Sequence, residues 1–266
     1  MGGTESKRSA QSTRSARGGD PTGTEPEPTE GSLPELDPTE RPELLPFVPA
    51  ARSFLDVGCG GGQFGRGLRR ALGGGVQIVG IEAEPDRAVS DSYAAYDEVI
   101  EGYFPEAMES GATDAGVSDR RFECIFFNDV LEHMLEPWDA LATAHRWLAP
   151  GGTVVASIPS IQFFPVVIAL VRRGRWDYAD WGTLDRTHLR FFTRKTMVEM
   201  FEQAGFTVTH VTGINSAFTL AKWRRFRRLA PLIGDAQWMQ FVIVAHATDR
   251  GRAPTLDRAA APEPQP

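Results

Sequence analysis

The sequence predicts an α/β fold with a mostly parallel sheet, on three observations. Between residues 53 and 158, short apolar runs alternate with stretches of helical period, the rhythm of repeated βαβ units. Glycine and proline clusters end those stretches, as Gly73-Gly74-Gly75 and Pro150-Gly151-Gly152 do, which is how such chains punctuate a helix. The run Cys124-Ile125-Phe126-Phe127 is continuously apolar, as a strand covered on both faces must be.

Taken in order, residues 1–42 are rich in Gly, Ser, Thr, Pro and Glu and almost without apolar side chains. They cannot bury enough surface to offset their ordering entropy and are expected to form a disordered tail. Residues 249–266, ending Ala-Ala-Ala-Pro-Glu-Pro-Gln-Pro, read the same way, which leaves a folded domain at 43–248. A short strand at 53–57 leads into glycines, and helical spacing follows over 64–72. A second strand at 76–81 precedes a helix opened by Pro85 at its first turn. A third strand is expected at 96–100, a fourth at 124–127, an amphipathic helix at 138–148 and a fifth strand at 153–158. After Pro159 the rhythm breaks. A helix over 193–204 has Thr193 as N-cap and Gly205 just past its end. Strands at 206–211 and 241–247, separated by an insertion, complete a set of seven, and the last two are expected to pair antiparallel at the sheet edge.

Composition narrows the class. The chain has 266 residues, 41% hydrophobic and 24% charged, enough for one large domain with tails. A formal net charge of −7 argues against a surface devoted to nucleic acid. The two cysteines, Cys59 and Cys124, fall in segments that read as core, so no disulfide framework is expected. No apolar run reaches the roughly 18 residues needed to span a bilayer, and the polar, proline-rich start does not read as a secretory signal. These features fit a cytoplasmic enzyme.

The chemistry concentrates at Phe54-Leu55-Asp56-Val57-Gly58-Cys59-Gly60-Gly61-Gly62-Gln63-Phe64-Gly65. A strand ends in glycines and a helix starts at once, so a ligand can approach backbone amides at a helix N-terminus. Glu82 follows at the end of the second strand, where a carboxylate can accept hydrogen bonds from both hydroxyls of a ribose. Gly60-x-Gly62-x-x-Gly65 also satisfies the dinucleotide fingerprint, which on its own is a weak signal. Asp56 separates the two readings, since an acid just ahead of the first glycine repels a pyrophosphate and suits a cationic group.

Leu55-Asp56-Val57-Gly58-Cys59-Gly60-Gly61-Gly62 resembles motif I of the class I S-adenosylmethionine-dependent methyltransferases. Phe122 to His133, ending Leu131-Glu132-His133, is similar to the fourth-strand segment of their small-molecule branch, which includes ubiquinone-type and natural-product enzymes. Leu148-Ala149-Pro150-Gly151-Gly152, His188-Leu189-Arg190-Phe191-Phe192-Thr193 and Ala204-Gly205-Phe206 continue the likeness in order. The resemblance implies a Rossmann-like, seven-stranded, mostly parallel sheet with helices on both faces and a C-terminal antiparallel strand pair. It implies S-adenosyl-L-methionine as cofactor, with Asp56, Gly58, Cys59 and Gly60 at its methionine end and Glu82 at its ribose. Asn128 is implied near the methyl group. One departure stands out: the family's acid for the adenine amino group is absent after Gly102, where Tyr103 and Phe104 follow.

Methyl transfer asks the enzyme to position an acceptor and, for a hydroxyl, to remove a proton. No metal is required, and the five histidines show no metal-ligand spacing. The candidate bases are His188, beyond the fifth strand, and His133, just after the fourth; each could equally be a structural imidazole. Glu132 reads as orienting a neighbouring element. Trp176, Tyr178, Trp181, Phe191 and Phe192 could form an acceptor pocket or lid, or satellite core. The segment from Leu220 to Ile233 carries five basic residues and no acid, interleaved with apolar ones, and so could lie against an anionic membrane or grip an anionic substrate, and 166–173 resembles a second such surface; a solvated helix with a buried stripe is the plainer reading. The expected activity is methylation of a small molecule at a hydroxyl of a lipid, quinol, sugar or natural product. Its rivals are an NAD-dependent oxidoreductase and a non-catalytic S-adenosylmethionine-binding module.

Overall fold

The computed structural model describes residues 37–85, 93–110 and 120–248. Seven strands form one sheet: β1 (Ser53–Val57), β2 (Gln77–Glu82), β3 (Glu98–Glu101), β4 (Phe122–Asn128), β5 (Leu148–Pro159), β6 (Phe206–Ser216) and β7 (Trp238–Ala247). Their order is β3-β2-β1-β4-β5-β7-β6. The first five run parallel, and β7 is antiparallel to both β5 and β6. The expected fold class is the observed one, and the pairing direction of the last strands is as the sequence predicts. The chain order doubles back between β1 and β4, and the crevice at such a reversal, at the carboxyl ends of the strands, is where open α/β sheets bind ligands.

Alternating side chains load both faces of the sheet. Leu55, Val57, Ile125 and Phe127 pack on one face. Phe54, Cys124 and Phe126 pack on the other, against Phe64 and Leu68 of helix α1 (Gln63–Leu72). Both cysteines are buried free thiols. Helix α2 (Glu106–Ser110) follows β3, and α3 (Pro137–Ala144) links β4 to β5. After β5 come α4 (Phe164–Arg173) and α5 (Arg194–Gln203). Thr193 caps α5 in a reciprocal capping box with Thr196, and Gly205 takes a left-handed φ of 86° beyond its end.

Three boundaries differ from the sequence expectation. Helix α3 stops at Ala144, not at residue 148, because the Trp147 carbonyl accepts from the Phe122 amide (2.7 Å) and Leu148 opens β5 opposite Phe122. The insertion is no continuous helix: it breaks into short turns at Arg224–Leu229, Ala230–Ile233 and Gly234–Gln237. The third correction concerns the start of the domain, expected at 43. Packed chain reaches back to Glu40, which is buried against α1, where Arg70 pairs with it at 2.9 Å and Gly67 leaves room for its carbonyl. Leu44 then enters the core completely. The remaining tail residues and the helix expected after Pro85 lie outside the described residues.

Candidate active site

At the end of β1 the chain turns on glycines. Gly58 has φ +69°, and its N–H, with that of Cys59, donates to the Ile81 carbonyl at 2.8 and 3.0 Å. Gly62, at φ 78°, forms the N-cap of α1. A Cβ on Gly58 would lie 2.5 Å from Cγ2 of Val130, so the turn and the β4 end are fitted to each other. The Glu82 carboxylate meets this turn from β2, its Oε2 accepting the Gly60 N–H at 2.7 Å. The pairing follows from register: β1 and β2 lie side by side and finish together, with Val57 opposite Ile81.

Asp56 is almost fully buried. Its carboxylate points toward α1, where the Tyr96 hydroxyl donates to Oδ2 at 2.6 Å. Burial pushes its pKa up to about 7, helped by the nearby charge of Glu82 and opposed by Tyr96 and Arg41. Asp56 therefore stands behind the glycine turn, outside the wall of the cavity that the turn borders. Asn128, at the end of β4, has both amide atoms buried and without hydrogen-bond partners; such a group in a folded interior calls for an explanation.

In front of the turn lies a cavity of about 820 Å³, bordered by Gly58, Glu82, Gly102, Phe104, Val130 and Met134 among others. Its size and largely apolar wall with a few polar groups are those of a small-molecule site. Tyr103 and Phe104, which stand where the family's adenine acid is absent, both border it, and so does Glu106 at the start of α2.

A second cavity of about 150 Å³ adjoins the first, and Asp129 and His133 line both. Glu132, Thr183, His188 and Trp181 form its wall. The His188 Nδ1 lies 3.2 Å from the Thr183 carbonyl. A carbonyl only accepts, so Nδ1 carries the proton and Nε2 presents its lone pair, 3.9 Å from Glu132 Oε1. Burial, with His133 nearby, lowers the His188 pKa below the usual histidine range, so the ring is neutral at pH 7. Burial pushes the Glu132 carboxyl well up, and neither of its oxygens has a hydrogen-bond partner. Its backbone carbonyl holds the far loop in place, accepting from the amides of Leu189 (2.8 Å) and Arg190 (3.0 Å). His133 packs edge-on to His188 with ring centroids 4.8 Å apart. Among the described residues, Glu132, His133 and His188 are the cluster with a donor set for a cation, their ligand atoms lying within 4.8 Å of one another.

The aromatic group around 176–192 divides. Phe192 is core, Trp176 packs edge-on to Phe191 at 5.5 Å, and Trp181 is 77% exposed at the small cavity's rim. Asp129 is the site residue that sequence reasoning missed. It adopts φ +56° and is held by Arg41, by the Ser157 hydroxyl (3.0 Å) and by the Gln240 amide (2.7 Å). Its partners lie 88, 28 and 111 residues away in the chain, so no local pattern announces it.

The methyltransferase domain family matches residues 35–211. A ubiquinone biosynthesis O-methyltransferase of Psychrobacter arcticus is 28% identical over 62% of this chain and 63% of its own length. A protein of the same name from a Methylobacterium species is 27% identical over 71% of this chain and 74% of its own. The matched region thus spans about three fifths to three quarters of these relatives. Among solved structures, the fold is shared with the CcbJ methyltransferase of Streptomyces caelestis (TM-score 0.51, 18% identity, 79% of this chain and 89% of that one). A methyltransferase from Thermotoga maritima is similar to the same degree (TM-score 0.51, 17% identity, 79% and 88%). With its glycine turn and strand order in place, the chain belongs to the methyltransferase domain family, among the class I S-adenosylmethionine-dependent methyltransferases.

Proposed function

We propose that this enzyme methylates a hydroxyl group of a small, largely apolar molecule, with His188 accepting the hydroxyl proton at Nε2. One observation carries this reading: the neutral His188 ring presents an unprotonated nitrogen in a small cavity that shares Asp129 and His133 with the larger one. The O-methyltransferase names of the relatives point to the same kind of acceptor. The larger cavity suits the cofactor, with Gly58 bordering it as bare backbone and Glu82 lining it, its Oε2 tied to the Gly60 N–H at 2.7 Å and its Oε1 accepting from the Glu84 N–H at a longer 3.3 Å. Asp56 acts on the ligand's ammonium by charge from behind the turn, and the unpaired Asn128 amide awaits a polar partner from the ligand side. When bound, S-adenosylmethionine supplies a methyl carbon activated by positive sulfur. The protein's own part is to orient the acceptor against that carbon, exclude water with Trp181 and the 182–191 loop, and hold the departing proton on His188.

S-adenosylhomocysteine is expected to raise the melting temperature and NAD to leave it unchanged, since a ligand bound only to the native state stabilises it. At a hundredfold excess over Kd the gain is about 2.7 kcal/mol, or roughly 5–10 °C for a domain of this size. Asp56→Ala and Glu82→Ala should each shrink that shift in differential scanning fluorimetry. A shift with NAD alone would sink the reading, and cofactor binding without turnover on any hydroxylated lipid, quinol or sugar would favour the non-catalytic module.

A second reading adds a membrane surface. Among the described residues no helix is long and apolar enough to cross a bilayer. Yet α4 exposes Val167, Ile168, Leu170 and Val171, and Phe164 packs on Phe218 and Trp223. That contact sets the α4 apolar residues beside Lys222, Arg224, Arg225, Arg227 and Arg228, with Leu220 and Leu232 also exposed. An apolar patch rimmed by cations is what binds an anionic interface. The enzyme should sediment with phosphatidylglycerol vesicles at low salt and be released by high salt, and changing all four arginines to glutamate should abolish binding. Equal sedimentation of that variant would refute the surface.

A further inference from the structure

The turn that precedes β3 carries two tyrosines, and both reach the glycine loop. Residues 93–95 form a short 3₁₀ turn, closed by the Tyr96 N–H donating to the Tyr93 carbonyl at 2.9 Å. From it the Tyr93 hydroxyl donates to the Gly60 carbonyl at 2.6 Å. The N–H of Gly60 is taken by Glu82, so this residue at the middle of the loop is gripped on both sides. Tyr96 works deeper. Its hydroxyl donates to Asp56 Oδ2 at 2.6 Å and accepts the Gly65 N–H at 3.1 Å, joining the last turn of β1 to the first turn of α1.

The neighbouring glycines show that this placement is built in. A Cβ on Gly65 would fall 2.2 Å from the Tyr96 ring, and one on Gly80 would fall 3.1 Å from it and 2.7 Å from the Cys59 sulfur. Helix α1 and strand β2 both give up a side chain where the ring sits. Together the two hydroxyls contact residues 56, 60 and 65, which mark the entrance, middle and exit of the loop.

We propose that Tyr93 and Tyr96 are positioning residues for the S-adenosylmethionine loop, acting through the Gly60 carbonyl and the Asp56 carboxylate. The inference rests on the reading of that loop as the cofactor's methionine-end site, and the experiment separates the two. Tyr96 also governs the charge of Asp56. The groups facing that carboxylate are the Tyr96 hydroxyl, which favours its ionised form, Glu82 from β2, which disfavours it, Arg41 from the N-terminal segment, which favours it, the neighbouring Cys59 thiol and the buried Cys124 thiol from β4. Ionised Asp56 attracts a cationic ligand end, so affinity for S-adenosylhomocysteine should rise as pH increases through about 7, where this carboxyl titrates. Without the Tyr96 donor the carboxyl holds its proton longer, and the rise moves to higher pH.

The test is isothermal titration of S-adenosylhomocysteine across the pH range into the full-length wild type, Tyr96→Phe and Tyr93→Phe. Tyr96→Phe keeps the ring and its fit against both glycines and removes only the hydroxyl. Hydrogen bonds to charged groups are worth about 1.5–3 kcal/mol, so its affinity at pH 7 should fall about ten- to a hundredfold, with the pH profile displaced upward. Turnover at saturating cofactor should stay within about twofold, because neither hydroxyl touches the reacting atoms. Tyr93→Phe should also bind more weakly, with the profile left in place, because Tyr93 does not touch Asp56. A merely structural role would lower the melting temperature and leave affinity and profile as they are. If the wild type binds and both variants match it in affinity and profile, the proposal is overturned. If the wild type itself does not bind, the cofactor reading fails first, and the proposal with it. Should Tyr96→Phe not fold, the half-buried Tyr93 decides: wild-type affinity in its Phe variant overturns the clasp, and a clear loss supports it.

Discussion

Replacing His188 by alanine is expected to lower turnover by about 10²–10⁴-fold, the usual contribution of a positioned general base, with S-adenosylhomocysteine affinity near wild type. A hydroxyl is a poor nucleophile until it begins to lose its proton, and His188 has the three features needed to take it. Its Nδ1–H is fixed on the Thr183 carbonyl, its ring lines the small cavity with Nε2 unbonded 3.9 Å from Glu132 Oε1, and burial lowers its pKa below the usual histidine range, which keeps the ring neutral. The acid limb of the kcat/KM profile should accordingly fall below the range of a free histidine. His188→Gln tests packing against proton transfer, since the amide preserves hydrogen bonds and cannot accept the proton. Near-normal turnover in the glutamine variant would make His188 structural and pass the role to His133, which lines both cavities. Full activity in variants of both would mean an acceptor that needs no base, such as an amine.

Gly58→Ala should be far more damaging than the same added methyl at Gly60 in the glycine turn after β1. Two costs coincide at Gly58. A left-handed φ of +69° costs a residue with a Cβ roughly 1–2 kcal/mol. The new Cβ also meets Val130 Cγ2 at 2.5 Å, and overpacking of this kind costs about 1–3 kcal/mol. A total of roughly 2–5 kcal/mol would lower the melting temperature by something on the order of 10 °C, and the displaced turn should lose measurable S-adenosylhomocysteine binding. Gly60→Ala provides the contrast: it has φ +52°, and a Cβ there would meet nothing within 4 Å, so only the backbone cost applies. Adding Val130→Ala to Gly58→Ala should recover the steric part and leave the conformational part. If Gly58→Ala proves as mild as Gly60→Ala in thermal melts, the fit between turn and β4 is looser than the geometry implies.

The sheet was legible because its signals are local. Apolar runs mark β1, β2 and β4, and glycines mark where β1 ends, so the turn into α1 and the place of Glu82 at the end of β2 could be read directly. The errors share a physical origin in partners distant along the chain. Glu40 and Arg41 look like tail composition until Arg70 and Asp129 are brought to them. Trp147 and Leu148 continue the apolar spacing of α3, yet their backbone is claimed by Phe122. Tyr96 reads as a strand residue from its neighbours, and only the fold reveals the two glycines cut to fit its ring.

Strand β7 has a consequence for how the molecule is made. It is the last strand in sequence, yet it sits between β5 and β6. During synthesis from the N-terminus, β5 therefore emerges about eighty residues before the strand that covers its outer edge, with ribosomes adding roughly 5–20 residues per second. For that interval, several seconds long, the row of backbone groups from Thr153 to Pro159 that later pairs with β7 has no partner. β6 cannot supply one, since in the finished sheet it touches only β7. An uncovered edge of this kind is a template for pairing with another chain, so β5 is the part of the growing chain most exposed to mispairing. Gln240 arrives with the same strand and donates to Asp129, so the border between the two cavities cannot be complete before that strand has been made.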